Sequence, residues 1–119
     1  MTILYTHEDC LAHNPGEGHP ERPARLEAIV SALDAPEFAA LDRRAAPMVD
    51  RAHLEWVHTA AFVDMVLGSV PSSGHALLDA DTVLSAGSDR AALRAAGAVV
   101  AAVEAVCRGE AKTESLYVR

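Results

Sequence analysis

Paired cysteines, basic charge, aromatic rings and long apolar runs are all scarce in this sequence, and each scarcity removes a class of protein. There are two cysteines in 119 residues, Cys10 and Cys107, with no C-x-x-C spacing. That excludes a zinc finger, a dithiol redox motif and a disulfide-dense scaffold, and it suits free thiols in a reducing compartment. Lys112 is the single lysine beside nine arginines, and the formal net charge is -7. A sequence-independent nucleic-acid binder needs a basic stripe for phosphates, so no nucleic-acid partner is expected. The longest apolar run, residues 95–103, is broken by Gly97 and is too short to span a bilayer. The first residues, MTILYTHEDC, have neither the basic start nor the apolar stretch of a signal peptide. A cytoplasmic chain without a membrane partner is the expectation.

What is present is a core built from small residues. Hydrophobic residues make up 50% of the chain but aromatics only 4%, and alanine supplies much of the remainder. Alanine buries little area, so Leu, Ile and Val along helix faces must carry most of the burial. No repeat, low-complexity tract or internal boundary is visible, which gives one domain over residues 1–119.

The patterning reads as α/β. Residues 2–6 (TILYT) form a β-prone first strand that feeds a long loop over residues 6–22. Pro23 suits a first helical turn, and Leu26, Ile29, Val30 and Leu33 then fall on one face of a helix that ends near residues 34–36. Residues 44–49 are a candidate second strand. Asp50 is a candidate cap for a helix over residues 51–57, and Thr59 for one over 60–67 closed by Gly68. Residues 70–76 are turn-rich, and 77–84 are mixed. Ser88 is expected to cap a helix over residues 89–107 that ends at Arg108-Gly109. Leu93, Ala96, Gly97, Val100, Val103, Val106 and Cys107 are expected on its packed face, with Gly97 marking a close approach. Residues 115–118 read as a final buried strand. Trp56, Phe62, Met65 and Leu67 have the spacing of a packed helix pair and are expected in the core.

Few residues carry chemistry. His7, His13 and His19 share the first loop, and solvated loop histidines are the preferred reading over a metal site. His58 is expected to hydrogen-bond a backbone group, and His53 and His75 to lie at the surface. Asp79 reads as structural. Neither cysteine has a neighbouring base that would activate it.

Four segments, in order and with compatible spacing, resemble the histone deacetylase superfamily, in particular its bacterial deacetylase and acetylpolyamine amidohydrolase branch with the class II relatives. They are H-P-E-R-P-A-R-L from His19, V-H-T-A-A-F-V from Val57, D-A-D-T-V-L-S-A-G-S from Asp79, and G-E-A from Gly109 followed by L-Y-V-R from Leu116. Ala86 departs from the proline common at its position, and residues 112–115 match poorly. In the family the last segment runs directly into P-P-G-H-H.

The resemblance implies the N-terminal third of a three-layer arginase/deacetylase fold, with a mainly parallel sheet flanked by helices. It implies hydrolysis of an acetyl amide, of acetyl-lysine or of an acetylpolyamine, to amine and acetate. Zinc held by two aspartates and a histidine would polarise the carbonyl and its water. Neither a D-x-H motif nor an adjacent histidine pair occurs in this sequence. The chain is therefore expected to bind no zinc by itself and to be inactive, with no catalytic residue and no metal ligand.

The resemblance places Asp81 at the substrate rim, where its carboxylate would accept backbone N–H bonds; a turn aspartate is the competing reading. It places His19 and Pro20 on the loop bordering the substrate tunnel. Arg25 matches an arginine of an internal channel for acetate release, against a helix-surface arginine paired with Glu21 or Glu27. A non-catalytic α/β binding module of the same fold is the alternative function, and an arginase-like relative ranks below both. An unpaired sheet edge leads to an expectation of self-association.

Overall fold

In a computed structural model, residues 1–111 are described in full and residues 113–116 as backbone only. Strand β1 (Thr2–Thr6) lies at the centre of a three-stranded parallel sheet, between β2 (Asp42–Ala45) and β5 (Thr113–Leu116). Ile3, Leu4 and Tyr5 are all buried, so β1 is covered on both faces. That is why its apolar residues run consecutively and do not alternate. Strand β2 is an edge and carries charge, Asp42-Arg43-Arg44. Arg44 pairs with Asp42 of the same strand and, at 2.8 Å, ties the strand to Glu110 beyond the last helix.

Helix α1 (Pro23–Leu33) begins at proline, as expected, and buries Leu26. Helix α2 (Arg51–Leu54) is capped by the Asp50 side chain at Ala52 N–H, and α3 (Ala60–Gly68) by Thr59 at Phe62 N–H. Two short strands, β3 (His75–Leu77) and β4 (Val83–Ser85), form an antiparallel hairpin. The longest element is α4 (Ser88–Cys107). No helix among the described residues is long and apolar enough to cross a membrane.

Helix α4 lies against the sheet through its alanines. Ala98, Ala102 and Ala105 form one buried cluster with Ile3, Tyr5, Ala46 and Ala111. A methyl group lets the helix backbone come close to the strands, so proximity replaces bulk. The limit is reached at Gly97, where an added Cβ would sit 1.9 Å from the Pro47 carbonyl oxygen. That closeness lets Val49 N–H donate to the Leu93 carbonyl at 3.0 Å. A turn before Gly97, the Arg94 guanidinium reaches the Ala46 carbonyl at 2.9 Å and Asp9 at 3.0 Å.

The expected packed face of α4 is corrected by this arrangement. Gly97 is in contact as expected, but Val103 and Val106 are exposed, and Cys107 with them. The alanines, not the valines, meet the sheet. A second correction concerns Trp56, Phe62 and Met65, which are 75%, 44% and 48% exposed and not in the core. Among the described residues of α3, only Val63 is buried.

Smaller differences have local causes. Residues 8–12 of the first loop form a 3-10 turn, begun by His7 Nδ1 accepting from Asp9 N–H. Strand β2 starts two residues before the expected strand, because its register is set by pairing Ile3 with Asp42. Ser88 is the first helical residue and not the cap; Gly87 takes that place at φ 91°. A Cβ on Gly87 would also meet Ala12 Cβ at 2.7 Å. Of the expected strand 115–118, residues 115 and 116 fall in β5, while Tyr117, Val118 and Arg119 lie outside the described residues.

Candidate functional site

The first loop and the β3–β4 hairpin meet at one end of the molecule, and turn chemistry shapes both. In the hairpin, Asp79 Oδ1 accepts from Asp81 N–H and Thr82 N–H, each at 2.8 Å. Leu78 N–H closes the turn on the Thr82 carbonyl at 2.9 Å. These bonds stabilise the charged form, so the Asp79 carboxyl is held below the usual carboxylate range, chiefly by the Asp81 N–H. Asp79 is thus structural, as read from sequence, and it fixes the position of Asp81.

In the loop, Asn14 Oδ1 accepts from Gly16 N–H at 3.2 Å, and His19 Nδ1 accepts from Glu21 N–H at 3.0 Å. An accepting Nδ1 on a neutral imidazole leaves the proton on Nε2, so His19 keeps one donor for another partner. Between loop and hairpin lies an open depression of about 580 Å³, lined by Glu17, His19, Pro20, Ala80 and Asp81 among others. Three residues named from sequence, His19, Pro20 and Asp81, therefore share one surface. The carboxylates of Asp81 and Glu17 make no hydrogen bond or ion pair with other described residues. The depression thus offers acceptors at Asp81 and Glu17 and a donor at His19, which suits a ligand bearing both N–H and carbonyl groups.

The loop is also tied to both β4 and α4. Ser88 Oγ accepts from Ser85 N–H at 2.8 Å and lies 2.7 Å from His13 Nδ1. Ser85 Oγ donates to the Ala12 carbonyl at 3.1 Å and accepts from Asn14 N–H at 2.9 Å. Both serines are buried. His75, expected as a plain surface residue, is exposed but engaged: Nε2–H donates to the Asn14 carbonyl at 2.9 Å. This hairpin departs from the expectation of a turn-rich loop over residues 70–76 and a mixed stretch over 77–84. The D-A-D turn between two short apolar stretches is the signal that could have marked it.

Arg25 stands apart. It is exposed on α1 and outside the depression, in the manner of a helix-surface arginine. His58 is exposed and rests against the Phe62 ring at 5.0 Å, in place of the expected backbone hydrogen bond. His53 is half-buried, edge-on to Trp56 at 4.4 Å, with Nδ1 buried and unpartnered. Burial also pushes the Cys10 thiol up, which disfavours its reactive thiolate.

The three loop histidines do not converge. His7 binds Asp9 N–H, His13 binds Ser88, and His19 binds Glu21 N–H. Among the described residues no three His, Cys, Asp or Glu side chains are grouped to hold a metal ion. The residues described here do not fit the zinc that the resemblance implies.

Comparison with known proteins points to one family. The model of the histone deacetylase domain family matches residues 19–119. Among solved structures, the crystal structure of the HDA15 HD domain superposes with a TM-score of 0.90 at 29% identity, over 99% of this chain. The chain spans 35% of that relative's length. No curated protein matches.

Proposed function

The chain belongs to the histone deacetylase domain family, and on that premise we propose that it supplies the substrate rim of a zinc-dependent deacetylase. The reaction is hydrolysis of an acetyl amide, in acetyl-lysine or an acetylpolyamine, to amine and acetate. The observation that carries this reading is the meeting of His19, Pro20 and Asp81 in one open depression. The Asp81 carboxylate accepts N–H groups of the substrate, and its charge strengthens those bonds. His19 Nε2–H faces the same ligand as a donor. The resemblance alone assigns Arg25 to an internal path for acetate, where a guanidinium would hold a carboxylate; among the described residues it is exposed on α1.

In this reading the zinc and the groups that move protons are not among the described residues, so the 119-residue chain binds substrate and releases no acetate. A cytoplasmic location belongs to the same proposal. The second reading is a non-catalytic binding module of the same fold, which uses the same rim and needs no metal.

Titration with an acetyl-lysine peptide tests the rim. Asp81→Ala should weaken binding roughly tenfold, the usual worth of a hydrogen bond to a charged group. Equal binding by the variant would remove Asp81 from the rim. Chelator-sensitive acetate release by any longer polypeptide carrying this chain selects the enzyme over the binding module. Peptide binding without such release selects the module.

A further inference from the structure

Asn14 is held on both sides by one cross-strand pair. In the register of the hairpin, His75 of β3 lies opposite Ser85 of β4. His75 Nε2–H donates to the Asn14 carbonyl at 2.9 Å, and Ser85 Oγ accepts from Asn14 N–H at 2.9 Å. Both main-chain groups of a single loop residue are thus satisfied by neighbouring side chains of another element. The Ser85 hydroxyl proton goes to the Ala12 carbonyl, so the same pair holds the loop at residues 12 and 14.

Beyond Asn14 the loop carries Glu17, His19 and Pro20, and the hairpin carries Asp81 between its strands. These are the two walls of the depression. Asn14 also starts the loop's turn, because its Oδ1 accepts from Gly16 N–H. The His75–Ser85 pair therefore sits where the two walls are joined.

We propose that His75 is a positioning residue that sets the spacing between the His19 wall and the Asp81 wall. The clasp itself rests on these contacts alone, and its meaning for a substrate rests on the proposed deacetylase rim. A carbonyl only accepts, so Nε2 must carry the proton. His75 is exposed, so its loss costs no buried packing and should act locally. Without it, Ser85 remains as the other half of the clasp, and the loop and hairpin should loosen together.

Amide hydrogen exchange on the full chain reads this directly. His75→Ala should speed exchange about fivefold in both the 14–20 and the 78–82 segments, the usual scale for one hydrogen bond. Exchange in β1 and α4 should stay unchanged. His75→Gln, which keeps a side-chain donor, should restore most of the protection. Acceleration confined to the loop, no acceleration, or a uniform rise that includes β1 and α4 would overturn the assignment. An acetyl-lysine peptide supplies the second arm, with His75→Ala weakening its binding several-fold and His75→Gln restoring it. If the wild-type chain binds no such peptide, the substrate reading fails, while the exchange result still decides the clasp.

Discussion

The two apolar regions of this molecule, the α4–sheet contact and the α2–α3 pair, have opposite fates. At α4, alanines and one glycine lie against β1 and residues 46–49, and the burial of Ala98, Ala102 and Ala105 is nearly complete. At α2–α3, the larger Trp56, Val57, Phe62 and Met65 stay exposed. A large apolar side chain gains burial only where a partner surface faces it, whereas a small one gains it by letting backbones approach. Side-chain size was therefore a poor guide to which face packs. The region with the weaker hydrophobic residues is the core.

The sharpest way to break this contrast is to put bulk where proximity does the packing. Gly97→Ala gains up to about 1 kcal/mol of helix propensity, yet its Cβ would lie 1.9 Å from the Pro47 oxygen. The clash should win, with a net loss of about 3 kcal/mol in denaturant unfolding. A gain in stability would show that the Pro47 segment yields and that the close approach is incidental. Ala102→Leu comes next. It should cost about 2 kcal/mol through overpacking at a residue with no room to give.

Acid probes the same side by charge. The Arg94 hydrogen bond, with smaller help from His7 and Arg90, holds the Asp9 carboxyl below the usual range. A depressed folded-state pKa gives stability that is present above the unfolded-state pKa of about 3.9 and is lost as pH falls through the lower folded value. Asp9→Asn should flatten the acid limb of the stability profile and leave the neutral plateau lower. An unchanged acid limb would mean that Asp9 does not link α4 to the 3-10 turn.

The smallest effect is expected across the molecule. Trp56→Ser with Phe62→Ser should change unfolding stability by no more than about 0.5 kcal/mol, as for surface positions generally. The same variant should lower any self-association measured by sedimentation, since exposed apolar patches invite contact. A large loss of stability would restore the core role that their spacing suggests. If association persists unchanged, it belongs elsewhere, and the edges of the three-stranded sheet become its best location.

Local chemistry was the most legible part of the chain. Thr2–Thr6, the proline-led start of α1, the Asp50 and Thr59 caps and the structural role of Asp79 are all consequences of residue type at close range. His19, Pro20 and Asp81 could be named by resemblance, but not by spacing, since they stand some sixty positions apart in sequence. The place of Glu17 in the depression and the hydrogen bond of His75 to Asn14 were missed. Nothing in their own neighbourhoods marks them, because one gains its place from a wall across a depression and the other from a strand register.

The sequence by itself determined the family, through four motifs in order along the chain, the α/β class, through the order of its elements, and the turns and caps, which depend on groups a few residues apart. Only the tertiary structure decided which face of α4 is buried, that Trp56 and Phe62 are exposed, and that a histidine and a serine on opposite strands hold Asn14. Each of those depends on distances between segments far apart in the chain. Such distances are set by how closely backbones can approach, and at Gly97 that limit is a single missing methyl group.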